Sequence, residues 1–440
     1  MEGLRLFRKI SMKIYAKNTA YVLGERISTA LVSFITVILI TNFYSLSSLG
    51  VYQYSLNITS ILIVAIQLFD ERIIKNEFVI NKNEKKIATL VFMRILMVAI
   101  VLLSTIGLRE YLSVRSDFII LTCLALGIVS VNTIFNAYYD ALSKSNIRFK
   151  VSIICNMLII IMQYIVSYKG FDVISLIYSM VLGSALSFVI NTYLIKKMIC
   201  IKIFEYDIYW GLKVFRKSIS FVMASLVYIL YMKMDAIMIN YFIDETAVGK
   251  YSIATQFMSM GLLLLYPMQV GLYPIIMKSF EAGESRCNYI YKIVSQISTL
   301  LGYMIVIFFI MIGDILLYYI YNIKNTDVYI LSIIYLINAL ILYNALPRII
   351  FITFKELGNK ILLIQVMSLV LNFILNIIFI ERIGIYGAAV STTISSFVSL
   401  ILSNYFYKEL KWIGGIQIKS LFLNYIGLAI NLVKDEKKYY

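Results

Sequence analysis

Histidine is absent from the 440 residues, proline occurs three times, cysteine four times, and only 15% of the chain is charged. Without histidine there is no imidazole for zinc, for general-base catalysis or for a Ser–His or Cys–His pair. Cys123, Cys155, Cys200 and Cys287 have no metal-ligand spacing and read as free thiols, two in apolar runs and two in basic connections. An ordinary soluble chain is about half apolar and about a quarter charged. This one is 61% hydrophobic, more than a soluble core can hide, so the surplus needs lipid. No stretch is long and polar enough for an independent soluble domain. Soluble enzymes, nucleic-acid-binding proteins and secreted disulfide scaffolds are thereby excluded.

What is present is a series of apolar runs. They lie near 20–43, 53–71, 87–108, 118–139, 150–168, 173–195, 218–242, 250–274, 290–313, 328–352, 361–380 and 385–407. Each is long enough for a helix to cross the ~30 Å hydrocarbon core. The runs are continuous and not alternating, which predicts helices and excludes a barrel. The first run is too long for the apolar segment of a cleavable leader. The tail, 412–433, carries Lys419, Asn424 and Asn431 and is expected to lie at the interface rather than to form a thirteenth span.

Cations set the orientation. Of 40 Lys and Arg, 31 fall in the N-terminus, in every second connection (72–86, 144–150, 196–217, 278–292, 348–360) and in the tail from Lys408. Six fall in the opposite connections, and Arg26, Arg94 and Lys233 lie inside spans. This asymmetry puts both termini in the cytoplasm. It also accounts for the net charge of +16 without an acidic partner. A weak internal repeat has an offset of about 199 residues: Gly50-Val51-Tyr52-Gln53-Tyr54-Ser55 opens span two and Gly249-Lys250-Tyr251-Ser252 opens span eight. The expected fold is therefore an all-α integral membrane protein, with twelve transmembrane helices in two pseudo-repeated six-helix lobes around a central cavity. The lobes would be 1–195 and 218–407, joined by a cytoplasmic connection at 196–217 and followed by a tail at 408–440. Transporters built from such repeats hold substrate near the midplane.

Ionisable groups inside spans cost roughly 2.5–3.5 kcal/mol each and face protein or water. On span one, Arg26, Thr29, Ser33 and Thr36 have 3-4-3 spacing and form one polar stripe. That stripe suits a hydrated cavity with a cation at its mouth, or else helix packing with a snorkelling arginine. Lys233 and Asp235 on span seven lie about 200° apart around the helix, so each needs its own partner or water. Arg94 reads as snorkelling, Asp70-Glu71-Arg72 as the end of span two, and Asp140 and Asp314 as end-of-span residues. Gln365, Ser368, Asn372 and Asn376 line one face of span eleven, and Thr392, Ser395, Ser399 and Ser403 one face of span twelve. Pro267, Pro274 and Pro347 all fall in the second half, where they predict kinks.

The passage Leu371-Asn372-Phe373-Ile374-Leu375-Asn376, with Ile380-Glu381-Arg382-Ile383-Gly384-Ile385-Tyr386-Gly387-Ala388-Ala389-Val390-Ser391-Thr392 after it, resembles that of Wzx-type polysaccharide repeat-unit flippases. Asp235 followed by Val248-Gly249-Lys250-Tyr251-Ser252, and Pro274 before a basic connection, resemble further passages of the same family. That family is the polysaccharide-transport branch of the superfamily of multidrug exporters and lipid II flippases. The resemblance covers nearly the whole chain. It implies a non-enzymatic flippase of the bacterial inner membrane. The substrate would be an undecaprenyl-pyrophosphate-linked oligosaccharide for O-antigen, lipopolysaccharide, capsule or exopolysaccharide assembly, moved by alternating access. It implies no catalytic residue, metal or cofactor beyond a coupling proton or sodium ion. The implied partners are lipid-linked oligosaccharide, membrane lipids, a polymerase and a chain-length regulator, with no nucleic acid. By position, Arg26 and Arg72 match arginines associated with pyrophosphate. Lys233, Thr29, Ser33, Asn372 and Asn376 complete the expected substrate contacts, and Asp235 is the expected ion-coupling residue. Two other readings stay open: a multidrug or cation antiporter of the same superfamily, and a membrane polysaccharide polymerase or acyltransferase. The second commonly uses histidine or a large outer loop, and this chain has neither.

The charge asymmetry predicts that reporter fusions at Lys213 and Lys324 report opposite compartments, with Lys213 inside. Activity in one compartment for both would overturn the span assignment.

Overall fold

The computed structural model describes residues 2–80, 84–110, 116–198, 206–281, 283–355 and 357–422, and among them there are helices and no strand. Among these described residues, eleven helices are long and apolar enough to cross a membrane, or twelve if one bent pair counts as a single span. The chain divides into two compact units, Met1–Asn240 and Tyr241–Tyr440.

Unit 1 contains α1 (Glu2–Phe43), α2 (Leu46–Ile66), α3 (Glu71–Ile80), α4 (Glu84–Gly107), α5 (Ser116–Ala141), α6 (Ser145–Tyr168), α7 (Ile174–Met198) and nearly all of α8 (Ile208–Phe242). Helix α5 is its centre, packed on α2, α3, α4, α6 and α7, while α1 packs on α6. Span two ends at Ile66, earlier than the sequence suggested. Asp70, Glu71 and Arg72 do not end it; they start a separate amphipathic helix, α3. The reason is a local cap: the Asp70 carboxylate accepts the backbone N–H of Arg72 at 2.9 Å, and the Asp70 carbonyl accepts from Ile73 and Ile74. Ile74 and Phe78 of α3 then enter an apolar cluster with Ile87, Leu90, Phe135, Tyr139 and Val214.

Unit 2 contains α9 (Glu245–Gly261), a short 3₁₀ turn at Leu262–Leu264, α10 (Leu265–Glu281), α11 (Glu284–Tyr321), α12 (Thr326–Phe354), α13 (Gly358–Ile383), α14 (Ile385–Leu400), a 3₁₀ segment at Leu402–Phe406 and α15 (Lys411–Leu421). Helix α12 is the centre here and touches α9, α10, α11, α14 and α15. The kink expected in span eight is present: Glu245–Gln269 and Gly271–Phe280 are bent by 46°. Pro274 lacks the N–H that would bond the carbonyl of Val270, and the bend sits there. Pro347 lies inside α12, which continues through it. Helix α15 is too short to span and packs on α11, with Ile413, Gly414, Gln417 and Ser420 buried. The rest of the expected tail segment, and Cys200, lie outside the described residues. Cys123, Cys155 and Cys287 are free and buried.

The repeat offset reappears in the caps. Ser45 accepts the Ser48 N–H at the start of α2, and Asp244, 199 positions later, accepts the Ala247 N–H at the start of α9. At the α13–α14 turn, Gly384 has φ +63° and ψ −141°, a conformation that side chains rarely tolerate. Gly387, three residues on, lets α14 start directly against α13. A Cβ there would overlap the backbone carbonyl of Phe379 and crowd the nitrogen of Ile380. Backbone cannot swing aside as a side chain can. Gly387→Ala is therefore expected to cost about 1–3 kcal/mol, read as a lower melting temperature and lower folded yield. Gly415→Ala, with nothing within 4 Å of its added methyl, should leave both unchanged.

Candidate functional site

The polar stripe on α1 exists, and only part of it is open. Arg26, Thr29 and Ser33 are exposed, whereas Thr36 is buried with its hydroxyl 2.7 Å from the Gln163 carboxamide of α6. Asn156 of α6 borders the open part and donates to Ser28 at 2.9 Å and to Ser152 at 3.1 Å. Arg26 is 17 residues from Phe43, about 26 Å along the helix, so it lies toward the basic end of the span. Thr29 bonds back to the Glu25 carbonyl at 3.1 Å.

Glu25, next to Arg26, belongs to a chain of charges that the sequence did not reveal. Its carboxylate holds the Arg148 guanidinium of α6. Arg148 also donates to Asp140 of α5 at 2.7 Å, and Asp140 accepts from Lys75 of α3 at 2.9 Å and from the Ser145 hydroxyl at 2.8 Å. Lys75 in turn meets Glu71 at 3.0 Å. Asp140 is thus a hub joining α3, α5 and α6, and not a solvated end-of-span group. Arg94 was expected to snorkel, and it does not: it is 1% exposed. It donates to the Ser130 carbonyl and the Thr133 hydroxyl of α5, both at 2.7 Å, and to the Phe69 carbonyl at 3.2 Å. It thereby braces the break between α2 and α3, whose free carbonyl would otherwise lack a donor in an apolar setting.

Arg72 is exposed, and its guanidinium is committed locally. It pairs with Asp70 at 2.9 and 3.0 Å and stacks over Phe221 of α8 at 4.6 Å. Desolvation pushes the Asp70 carboxyl up, but the Arg72 bonds and charge outweigh it and hold it below the ordinary carboxylate value. The same face latches α8 to α3: Lys217 donates to Glu77 at 2.8 Å, Lys86 lies 3.6 Å from the other Glu77 oxygen, and Lys86 covers the Trp210 ring. The Lys217 bond holds the Glu77 carboxyl below its usual range. The latch is therefore intact at neutral pH and is lost only as pH falls through that lowered value.

Asp235 and Lys233 lie on α8, about 10 and 14 Å from its Phe242 end. Asp235 is buried and engaged; Lys233 is half-buried and makes no hydrogen bond or ion pair among the described residues. In unit 2, Asn372 and Asn376 are 0% exposed. Asn376 donates to Asn372 at 3.2 Å and Asn372 to Thr392 of α14 at 3.1 Å. Ser368 and Asn372 of α13 thus meet Ser395 and Thr392 of α14 in one seam, while Ser403 at the far end of its stripe turns to α12. Two further polar centres in this unit escaped the sequence. Lys250 meets Asp327 at 2.7 Å while Tyr386 donates to the other Asp327 oxygen at 2.9 Å, tying the starts of α9, α12 and α14. Arg348, counted with a basic connection, is buried within α12 and donates to Asn404 at 2.5 Å and Ser403 at 3.2 Å. No group of three or more potential metal ligands occurs among the described residues.

A family model described as "Polysaccharide biosynthesis protein" matches residues 15–280. No curated protein matches the sequence. Several solved structures share the fold. A structure of lipid II flippase MurJ in an inward closed conformation aligns with a TM-score of 0.67 at 17% identity, over 95% of this chain and 93% of that one. An inward-facing multidrug resistance MATE family transporter of the MOP superfamily aligns at 0.62 and 14% identity, over 92% and 96%. A MOP superfamily transporter from Pyrococcus furiosus, described as having a binding pocket of reverse polarity, aligns at 0.60 and 13%, over 94% and 97%. The two-lobed all-helical fold expected from the sequence is the fold of these transporters.

The charge chain makes a sharp prediction. Arg148→Gln leaves Glu25 without its cation in a poorly hydrated place, and breaking such a pair costs about 3–5 kcal/mol. The melting temperature of the purified protein should fall clearly. Adding Glu25→Gln should restore much of the loss, because Asp140 keeps Lys75. No recovery in the double variant would mean that Arg148 acts through Asp140 alone.

Proposed function

Because the chain belongs to the polysaccharide biosynthesis protein family, we propose that it is a flippase that carries a lipid-linked oligosaccharide across the inner membrane. The substrate proposed is an undecaprenyl-pyrophosphate-linked repeat unit, moved from the cytoplasmic to the periplasmic leaflet by alternating access. The observation that carries this reading is the exposed part of the polar stripe on α1, from Arg26 through Thr29 to Ser33, within a predominantly apolar span. Hydroxyls along a helix face suit sugar hydroxyls, and a guanidinium at the basic end suits a pyrophosphate, to which it can present two parallel N–H donors. The isoprenoid tail stays in the bilayer, so only the headgroup has to leave water. No bond is made or broken.

Lys233, half-buried and without an ionic partner, adds a second cation deeper in the span. At Arg72 a pyrophosphate must compete with Asp70. Asn372 and Asn376 act indirectly, by setting the spacing of α13 and α14. Asp235 takes the coupling proton or sodium ion: a buried carboxylate can change its charge state or bound cation while the helix stays folded. A polymerase and a chain-length regulator are the proposed partners downstream. The multidrug alternative is favoured by the MATE likeness and disfavoured by charge. A site for cationic drugs wants carboxylates, and here the exposed charge of the α1 stripe is Arg26, with Lys233 half-buried on α8. Pocket polarity is also what suggests a different function for the Pyrococcus furiosus transporter.

In cells that depend on this protein for surface polysaccharide, Arg26→Gln should lower export at least tenfold at normal protein abundance, and Arg26→Lys should be partly active. Full export by Arg26→Gln would reduce Arg26 to an interfacial anchor. Asp235→Asn should likewise keep abundance and lose export. Lys233→Gln should not rescue it, because the two side chains leave the helix on different faces. Rescue would make them one neutralising unit and remove Asp235 from ion coupling.

A further inference from the structure

At the basic end of unit 2, a groove of about 370 Å³ opens between the first turns of α11 and helix α15, lined by Asn288, Tyr289, Lys292, Trp412 and Ile416. Its floor is fixed. Trp412 packs on Tyr291 with ring centroids 4.9 Å apart, Ser295 and Ser420 are 3.0 Å apart, and Tyr303 donates to the Leu421 carbonyl at 2.7 Å. Lys292 lines the groove, and the chain segments that form it carry further exposed cations, Arg286, Lys408, Lys411 and Lys419, with Glu409 interspersed. Lys292 makes no ion pair or hydrogen bond among the described residues.

Helix α11 has 38 residues and is about 57 Å long, well beyond the ~30 Å hydrocarbon core. Its early turns therefore stand at headgroup level. Above them, Leu300 (38% exposed), Met304 (57%), Ile307 (54%) and Met311 (75%) form an exposed apolar strip. At 100° per residue this strip shares a face, about 120° wide, with Tyr289 and Lys292. A cation, a tryptophan and an asparagine thus sit where a lipid-facing strip ends, which is the arrangement that receives a phosphate above and an acyl chain below.

We propose that this groove is a binding site for an anionic phospholipid of the cytoplasmic leaflet. Lys292 meets the phosphodiester, Asn288 and Tyr289 bond the polar headgroup, Trp412 closes the groove at the interface, and one acyl chain runs along the α11 strip. The site is separate from the polar face of α1 and does not depend on which substrate is carried.

The test uses the full-length purified protein, stripped of lipid and titrated with phosphatidylglycerol or phosphatidylcholine, with bound lipid counted by native mass spectrometry. The wild type should retain one phosphatidylglycerol with at least a fivefold preference over phosphatidylcholine. Lys292→Gln should bring the two lipids close to parity, and Tyr289→Ala should weaken binding of both. Lys169→Gln, at the opposite side, should change nothing. Lys292 is exposed and unpaired, so its substitution should leave the melting temperature in phosphatidylcholine unaltered, and a binding loss then reports the site. Retained preference in Lys292→Gln, or an equal loss in Lys169→Gln, would overturn the proposal. Displacement of the bound lipid by millimolar inorganic phosphate would also overturn it, since the groove would then read a free anion.

Discussion

Hydrocarbon offers no water to a stray donor, acceptor or charge, and the arrangement of the buried polar groups among the described residues follows from that. Backbone groups are satisfied by helix formation, so the burden falls on breaks between helices and on charged side chains. The break after α2 is covered by Arg94, which binds the Phe69 carbonyl and two α5 groups. Glu25, Arg148, Asp140, Lys75 and Glu71 neutralise one another across α1, α3, α5 and α6. Arg348 rests on neutral oxygens of Asn404 and Ser403. Among the described residues, Lys233 makes no ion pair or hydrogen bond, and Arg26, Thr29 and Ser33 of the α1 stripe stay exposed.

The parts of the fold legible in the sequence were those written in local pattern. Apolar runs marked the spans, Pro274 marked the bend of span eight, and the offset of 199 residues reappeared as matched caps at Ser45 and Asp244. What was not legible depended on contacts between distant segments. Nothing near Glu25 announces a partner 123 residues away, and a lone arginine about two turns into an apolar run looks the same whether it snorkels or is buried. Asp70 misled for a local reason: a carboxylate after an apolar run reads as an ending, but one that accepts the N–H two residues on is a beginning. The late polar stripes were read correctly as faces, yet periodicity cannot tell that the two faces meet each other.

The residues that carry the family resemblance turn out to work mainly on packing. Gly387 lets α14 approach α13, Tyr386 and Lys250 hold Asp327, and Asn372 binds Thr392. Such motifs identify a fold and its branch because they build the helix junctions that the fold needs. They carry little information about a sugar, since none of these groups is spent on a ligand. Among the described residues, Ser33 of the α1 stripe is exposed and takes part in no such junction, whereas the Thr29 hydroxyl accepts from Asn156 of α6 at 3.5 Å.

Helix α8 joins the two themes. Its first four turns are pinned to α3 and α4 by the Glu77–Lys217 bond, by the Arg72–Phe221 stack and by the close approach of Gly211 to Met93. From Lys217 the helix continues unbroken for another 16 residues to Lys233, about 24 Å. A rigid helix anchored at one end transmits the position of that anchor to its far charges. The registry of Lys233 and Asp235 within the span is therefore set partly by polar contacts on the basic surface, well outside the hydrocarbon. Arg72, exposed and held by the largely buried carboxylate of Asp70, contributes to that anchor through its stack on Phe221, a contact that needs no substrate.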